Sequence, residues 1–249
     1  MSTNLFNPGQ SGVAFYSSGQ LPKTFSTQCK ASELSQKQLA LEYYDRGLKR
    51  YEASQLEHAL TDFTAAIRLD SNLAEAFNAR GSVFAELEQD NLAIKDFDEA
   101  IRLQPKSTLA YSNRATVFYK QKKFAEALAD LNNDVAIFAN GPAYVRRATV
   151  LNILKMHKQA VDDCTKALAN SPGLVIAFLV RGQARLALQQ FDLSISDLSA
   201  YLNAEPTSAV AYWLRSHAYA FRHDERSART DYLHAIRLDP FLASLAVRN

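Results

Sequence analysis

A period of 34 residues constrains this chain more than any other feature. Six consecutive blocks align on an aromatic residue followed four positions later by a small one; they cover residues 40–73, 74–107, 108–140, 141–174, 175–208 and 209–242. Five blocks hold 34 residues and the third holds 33. The aromatic is Tyr43, Phe77, Tyr111, Tyr144, Phe178 and Tyr212 in turn, and the small residue is Gly47, Gly81, Ala115, Ala148, Gly182 and Ser216. A second small residue recurs in mid-block, at Ala59, Ala93, Ala127, Ala160, Ser194 and Ala228. Pro105, Pro172, Pro206 and Pro240 close four of the blocks.

Within each block, apolar residues recur at three- and four-residue intervals on both sides of a polar turn, the pattern of two amphipathic helices. Small residues at matched places let the two helices approach closely, and the proline stops the second before the next block begins. One such hairpin cannot bury its apolar face alone, whereas stacked copies share a continuous core. Composition agrees: hydrophobic residues make up 47% and charged residues 22%, and 8 glycines with 7 prolines allow long helices with brief punctuation.

This skeleton resembles the tetratricopeptide repeat (TPR), and the resemblance runs from residue 40 to residue 242. It implies an all-α fold, a right-handed superhelical solenoid of antiparallel helix pairs, with the first helix of each pair lining a concave groove. It also implies a non-catalytic protein–protein interaction scaffold or adaptor, binding a peptide or helix of a partner protein in that groove. Two alternatives stand beside this reading. One is a chaperone or secretion-linked protein autoinhibited by its own aromatic N-terminal arm. The other is a self-associating structural scaffold.

In the family the groove is lined mainly by the second, fifth, ninth and twelfth residues of each block. In blocks two and three these are Glu75, Asn78, Ser82, Ala85, Leu109, Ser112, Thr116 and Tyr119. In blocks four to six they are Pro142, Val145, Thr149, Asn152, Ile176, Leu179, Gln183, Leu186, Val210, Trp213, His217 and Ala220. The expected groove thus grades from polar to apolar, and apolar groups where water is expected mark a binding surface. Trp213 is the expected anchor, because aromatic anchors dominate binding energies. Asn113 and Arg146 complete the expected partner-binding set. They match two positions of the five-residue clamp with which some TPR proteins hold the C-terminal carboxylate of heat-shock chaperones. Asn78, Ser82 and Pro142 occupy the other three places, so chaperone-tail binding is not expected.

Two charges recur with the fold. The residue before the first small one is Arg46, Arg80, Arg114, Arg147, Arg181 and Arg215; sixteen positions later stand Asp62, Asp96, Asp130, Asp163, Asp197 and Asp231. A matched row of aspartates argues against a basic ladder for phosphate or RNA, and one Arg–Asp pair per repeat is expected instead. An exposed pair contributes only about 0.2–1 kcal/mol, so its larger role would be to fix helix register and satisfy a partly buried charge. The third block departs most from the skeleton. Asp134 stands where four other blocks have alanine, after Asn132 and Asn133, and Arg146 is an arginine additional to the ladder. Tyr201 replaces the same alanine in the fifth block.

Residues 1–31 read as a disordered arm rich in polar residues, with Phe6, Phe15, Tyr16 and Phe25 as docking candidates. Ser32 or Ser35 is placed to cap the first helix of a domain spanning 32–249. Two cysteines, no secretory pattern at the N-terminus and no apolar run of membrane-spanning length point to the cytoplasm. A net charge of +2 makes no case for nucleic acid. No phosphate-cradling loop, nucleophile elbow or spaced metal set is present, so no catalytic residue, cofactor or metal is expected. Cys164 falls on an apolar stripe and reads as a buried structural thiol.

Overall fold

A computed structural model describes the backbone of residues 23–246 and the side chains of residues 35–243, and all secondary structure among them is helical. Six hairpins follow one another: α1 (Lys23–Glu52) with α2 (Leu56–Leu69), α3 (Ala74–Glu86) with α4 (Asp90–Leu103), and α5 (Thr108–Lys120) with α6 (Phe124–Ile137). Then come α7 (Gly141–Ile153) with α8 (His157–Asn170), α9 (Ile176–Ala187) with α10 (Phe191–Ala204), and α11 (Ala209–Phe221) with α12 (Glu225–Leu238). A short α13 (Phe241–Ala246) closes the described chain.

The matched small residues set how closely each hairpin shuts. A Cβ on Gly47 would lie 2.6 Å from the ring of Phe63, and one on Gly81 would lie 2.8 Å from that of Phe97. Both rings are fully buried. Where the small residue gains a methyl group, at Ala115 and Ala148, the residues in the places of those phenylalanines shrink to Leu131 and Cys164, which are also buried. In these repeats a larger residue on the first helix is met by a smaller one on the second, as close packing requires.

Within each hairpin the turn uses one device. Ser54, Glu88, Lys122, Lys155, Gln189 and His223 all have φ between 57° and 61°. The amide after each donates to the carbonyl five residues back, as in Gln55→Arg50, Gln89→Phe84, Lys123→Phe118 and Met156→Leu151 at 2.8–2.9 Å. These are Schellman closures, which ordinarily place glycine at the left-handed position; none of the six does so here.

Ser32 and Ser35 do not cap the first helix. α1 already begins at Lys23 and passes through both, so the expected arm of 1–31 is helical from residue 23. No glycine or proline interrupts residues 23–46, and Lys30, Ala31, Glu33 and Leu34 are good helix formers. Residues 1–22, with Phe6, Phe15 and Tyr16, lie outside the described range. The poor helix formers Asn132–Asp134 do not break α6, and Asn140 caps α7, its side chain accepting from the Ala143 amide at 2.8 Å.

First helices pack on one another in four of five cases, α1 on α3, α3 on α5, α7 on α9 and α9 on α11, while α5 and α7 stand further apart. Contacts between successive second helices are weaker than any of these. The first helices therefore lie on the inner side of the bend, and their outward positions form the groove.

Candidate partner-binding groove

The polar half of the groove is organised by one side chain. Asn113 on α5 donates to Asn78 Oδ1 at 3.1 Å and lies 3.3 Å from Ser82 Oγ, both on α3. Next to it, Ala115, Thr116 and Tyr119 of α5, Leu131 of α6, and Arg146, Thr149 and Val150 of α7 line one open cavity of about 270 Å³. Thr116 and Thr149 each donate to the carbonyl four residues earlier at 2.9 Å, so their hydroxyl protons are already used. Tyr119 packs edge-on against Phe124. Leu109, Pro142, Ile176 and Val210, the second residues of four successive blocks, are all exposed. They are apolar groups at equivalent places of four successive repeats.

Val145 departs from expectation. It is buried, packed with Ala148, Leu151 and Val180, and offers no groove surface. Direct packing of α7 on α9 covers it, and Asn152 seals the joint by donating to the Val180 carbonyl at 2.9 Å. The apolar half is also more inward than the sequence implies. Leu179, Leu186 and Trp213 are half-buried against Leu198, Leu202, Ala211 and Leu214. The indole Nε1 of Trp213 is buried without a hydrogen-bond partner among the described residues, and its ring lies 4.2 Å from that of His217. His217 Nδ1 stands 2.7 Å from the Trp213 carbonyl, which can only accept, so that nitrogen carries a proton. Gln183 remains exposed between these groups.

Behind the groove runs the charge ladder. Each ladder arginine donates through Nε and Nη2 to both oxygens of the aspartate sixteen residues on, at 2.6–3.0 Å. All six carboxylates are buried. The remaining nitrogen, Nη1, reaches into the preceding repeat in five of the six: Arg80 to Thr64, Arg114 to Asp98, Arg147 to Asn132, Arg181 to Thr165 and Arg215 to Ser199. Each guanidinium also sits within 6 Å of an aromatic ring of its own helix, and Arg80, Arg114 and Arg215 lie between two. The hydrogen bond from Arg46 holds Asp62 below the ordinary carboxylate range. Burial pushes the Cys164 thiol up to about 12, which leaves it protonated and unreactive at neutral pH.

Arg146 pairs with Asp134 in another way. Its Nη2 donates to Asp134 Oδ2 at 2.7 Å, while Asp134 Oδ1 and Arg146 Nε are buried with no partner among the described residues. No described group of three or more His, Cys, Asp or Glu is placed to hold a metal ion, and no described helix is long and apolar enough to cross a membrane.

Tandem hairpins with first helices inside are the architecture of a helical-repeat solenoid. Residues 74–107 match the family model of the tetratricopeptide repeat. The fold resembles YrrB, a TPR protein with an unusual peptide-binding site, with a TM-score of 0.65 and 21% identity over 75% of this chain and 98% of that one. It also resembles PilF of Pseudomonas aeruginosa, with a TM-score of 0.72 and 18% identity over 83% and 94% of the two chains. In sequence, 117 residues are 28% identical to mouse DnaJ homolog subfamily C member 7; that stretch is 47% of this chain and 22% of the mouse protein. The chain thus carries a tetratricopeptide repeat at residues 74–107 within a fold of the tetratricopeptide-repeat type, whose members are generally non-catalytic scaffolds for protein–protein interaction.

Proposed function

We propose that this chain is a non-catalytic adaptor that holds a peptide or helix of a partner protein in its groove. The observation that carries the reading is the meeting of Thr116, Tyr119, Arg146 and Thr149 in one open cavity, on a chain that also exposes a row of apolar residues at one place of successive repeats, Leu109, Pro142, Ile176 and Val210. An extended or helical segment laid along the first helices would bury the row, while Asn78, Ser82 and Asn113 would set its register through hydrogen bonds. Leu179, Leu186, Trp213 and His217 would continue the apolar surface, with the ring of Trp213 as a fixed wall whose indole N–H is already enclosed. Gln183 would add a polar contact. Val145 is left out of the site because it is buried. The autoinhibitory alternative rests on Phe6, Phe15, Tyr16 and Phe25, whose side chains lie outside the described residues, and no observation favours self-association.

The test compares affinity capture from the native cell by the wild-type chain and by Thr149→Lys, which projects a charge into the cavity from a half-buried position. A protein retained by the wild type and lost by a variant with an unchanged melting temperature supports the groove. Equal retention by both chains rejects it.

A further inference from the structure

The pair Asp134–Arg146 does nothing the solenoid requires. At the place of Asp134 four other repeats bury an alanine, at Ala66, Ala100, Ala167 and Ala235. Here the same place holds a carboxylate only 1% exposed, with one of its two oxygens unpaired. Such a group is a burden on the fold unless something compensates it. Its one partner, Arg146, is 41% exposed along its side chain and lines the cavity, whereas the ladder arginines of repeats two to six are 13–20% exposed.

The chemistry of the cavity narrows what it takes. Its walls, Ala115, Leu131 and Val150, are apolar, and its threonine hydroxyl protons are committed to backbone carbonyls. Arg146 is therefore its one donor of charge, and Asp134, 2.7 Å away, already offsets that charge. A carboxylate or phosphate entering here would meet a cation that is already neutralised, and would find only the neutral Tyr119 hydroxyl as a further side-chain donor. A flat apolar group would instead meet apolar walls and the face of a guanidinium. The chain shows the same arrangement six times: every ladder arginine is held by a buried aspartate and lies by an aromatic ring. Arg146 has the buried aspartate and no such ring among the described residues.

Resting on the groove reading above, we propose that this cavity is a receptor for one aromatic side chain of the partner, which stacks on the guanidinium of Arg146. The space suffices, since an apolar cavity of about 150 Å³ already takes a benzene ring and this one measures about 270 Å³. The unpaired atoms fit as well. Ladder arginines bind their aspartates through Nε and Nη2 together, while Arg146 uses Nη2 alone. Arg146 Nε and Asp134 Oδ1, both already buried, have no partner among the described residues and remain for a second bond of the ladder kind.

The experiment is an NMR titration of the full chain with three small probes: N-acetyl-phenylalanine amide, N-acetyl-leucine amide and N-acetyl-aspartate amide. The phenylalanine probe is expected to shift the amides of Thr116, Tyr119, Thr149 and Val150 and to bind about fivefold tighter than the leucine probe. The aspartate probe is expected to leave them unmoved. Arg146→Met keeps an unbranched apolar stem but removes the charged plane, and should bring the phenylalanine and leucine probes to equal affinity. The proposal is overturned if the wild type binds both apolar probes equally, if the aspartate probe binds tightest, if Arg146→Met keeps the aromatic preference, or if no probe moves these amides. The capture comparison with Thr149→Lys does not depend on the titration. If only the aromatic assignment fails, capture still falls in that variant while the probes show no aromatic preference. If the groove reading fails, capture is equal whatever the probes show.

Discussion

Gly81 sits where the two helices of its hairpin come closest, and the space there is measured in tenths of an ångström. A Cβ would lie 2.8 Å from Phe97 Cε1 and 3.2 Å from the Ala93 carbonyl oxygen, and Phe97, fully buried, has nowhere to retreat. Gly81→Ala should therefore destabilise the chain by about 1–3 kcal/mol, the ordinary cost of overpacking a filled core. Adding Phe97→Leu should recover most of the loss, because Ala115 with Leu131 is that same pair one repeat later. Urea unfolding of the single and double variants measures both effects; a neutral Gly81→Ala would show that ring and backbone shift freely. Such pairs were legible in the sequence, because the small residue and its counterpart recur at a constant spacing. The burial of Val145 was not legible. It depends on how closely α7 approaches α9, and nothing in the composition of a groove position records the distance to the next repeat.

At the scale of the hairpin, the six turns hold Ser, Glu, Lys, Lys, Gln and His in the left-handed conformation. These side chains share no chemistry that would announce the turn type, and glycine, its usual sign, is missing. Only the polar break between two helices was readable, because the conformation is imposed by the Schellman bonds and by the packing of both helices. The arrangement carries strain, since the left-handed region costs an L-residue about 1–2 kcal/mol. Glycine loses about 0.5–1 kcal/mol more than alanine on being ordered, so the net gain from Lys122→Gly is about 0.5–1 kcal/mol. At this chain length that corresponds to a rise in melting temperature of about 1–4 °C. Calorimetry of Lys122→Gly checks the figure, and Lys122→Ala is the control that removes the side chain and keeps the strain. If both variants melt together, the lysine side chain and not the backbone sets the stability of the turn. The start of α1 was misplaced for a related reason. Serines that can cap are equally able to sit inside a helix when nothing upstream breaks it.

Across the whole molecule, stability should follow the rule of stacked repeats, in which each unit contributes its own term plus an interface with its neighbours. The arginine ladder acts on both terms. Its pairing with an aspartate sixteen residues on was visible as spacing, but the reach of Nη1 into the preceding repeat was not, because Thr64, Asp98, Asn132, Thr165 and Ser199 differ in type and share only the capacity to accept. Arg114 joins the second repeat to the third through Asp98, the one charged acceptor of the five, while holding the buried Asp130. Arg114→Ala leaves that carboxylate uncompensated and should cost about 3 kcal/mol, at the low end for breaking a buried pair. Arg46 has no preceding repeat to reach and is 52% exposed, and its Asp62 keeps a second partner in Arg50 at 2.9 Å, so Arg46→Ala should cost clearly less than Arg114→Ala. The acid limb of stability carries a sign of its own. Asp62 titrates below its ordinary 3.8 because Arg46 donates to it. Its contribution is therefore complete above about pH 4 and disappears as pH falls through the lowered value; Arg46→Ala should flatten that limb. The distinguishing measurement for Arg114→Ala is hydrogen exchange resolved by helix. Loss of the joint should let α1–α4 open separately from α5–α12, so that amides on the two sides of residue 107 report different opening energies where the wild type reports one. Uniform loss of protection along the chain would mean that Arg114 serves its own hairpin alone and that the contact with Asp98 carries no coupling between repeats.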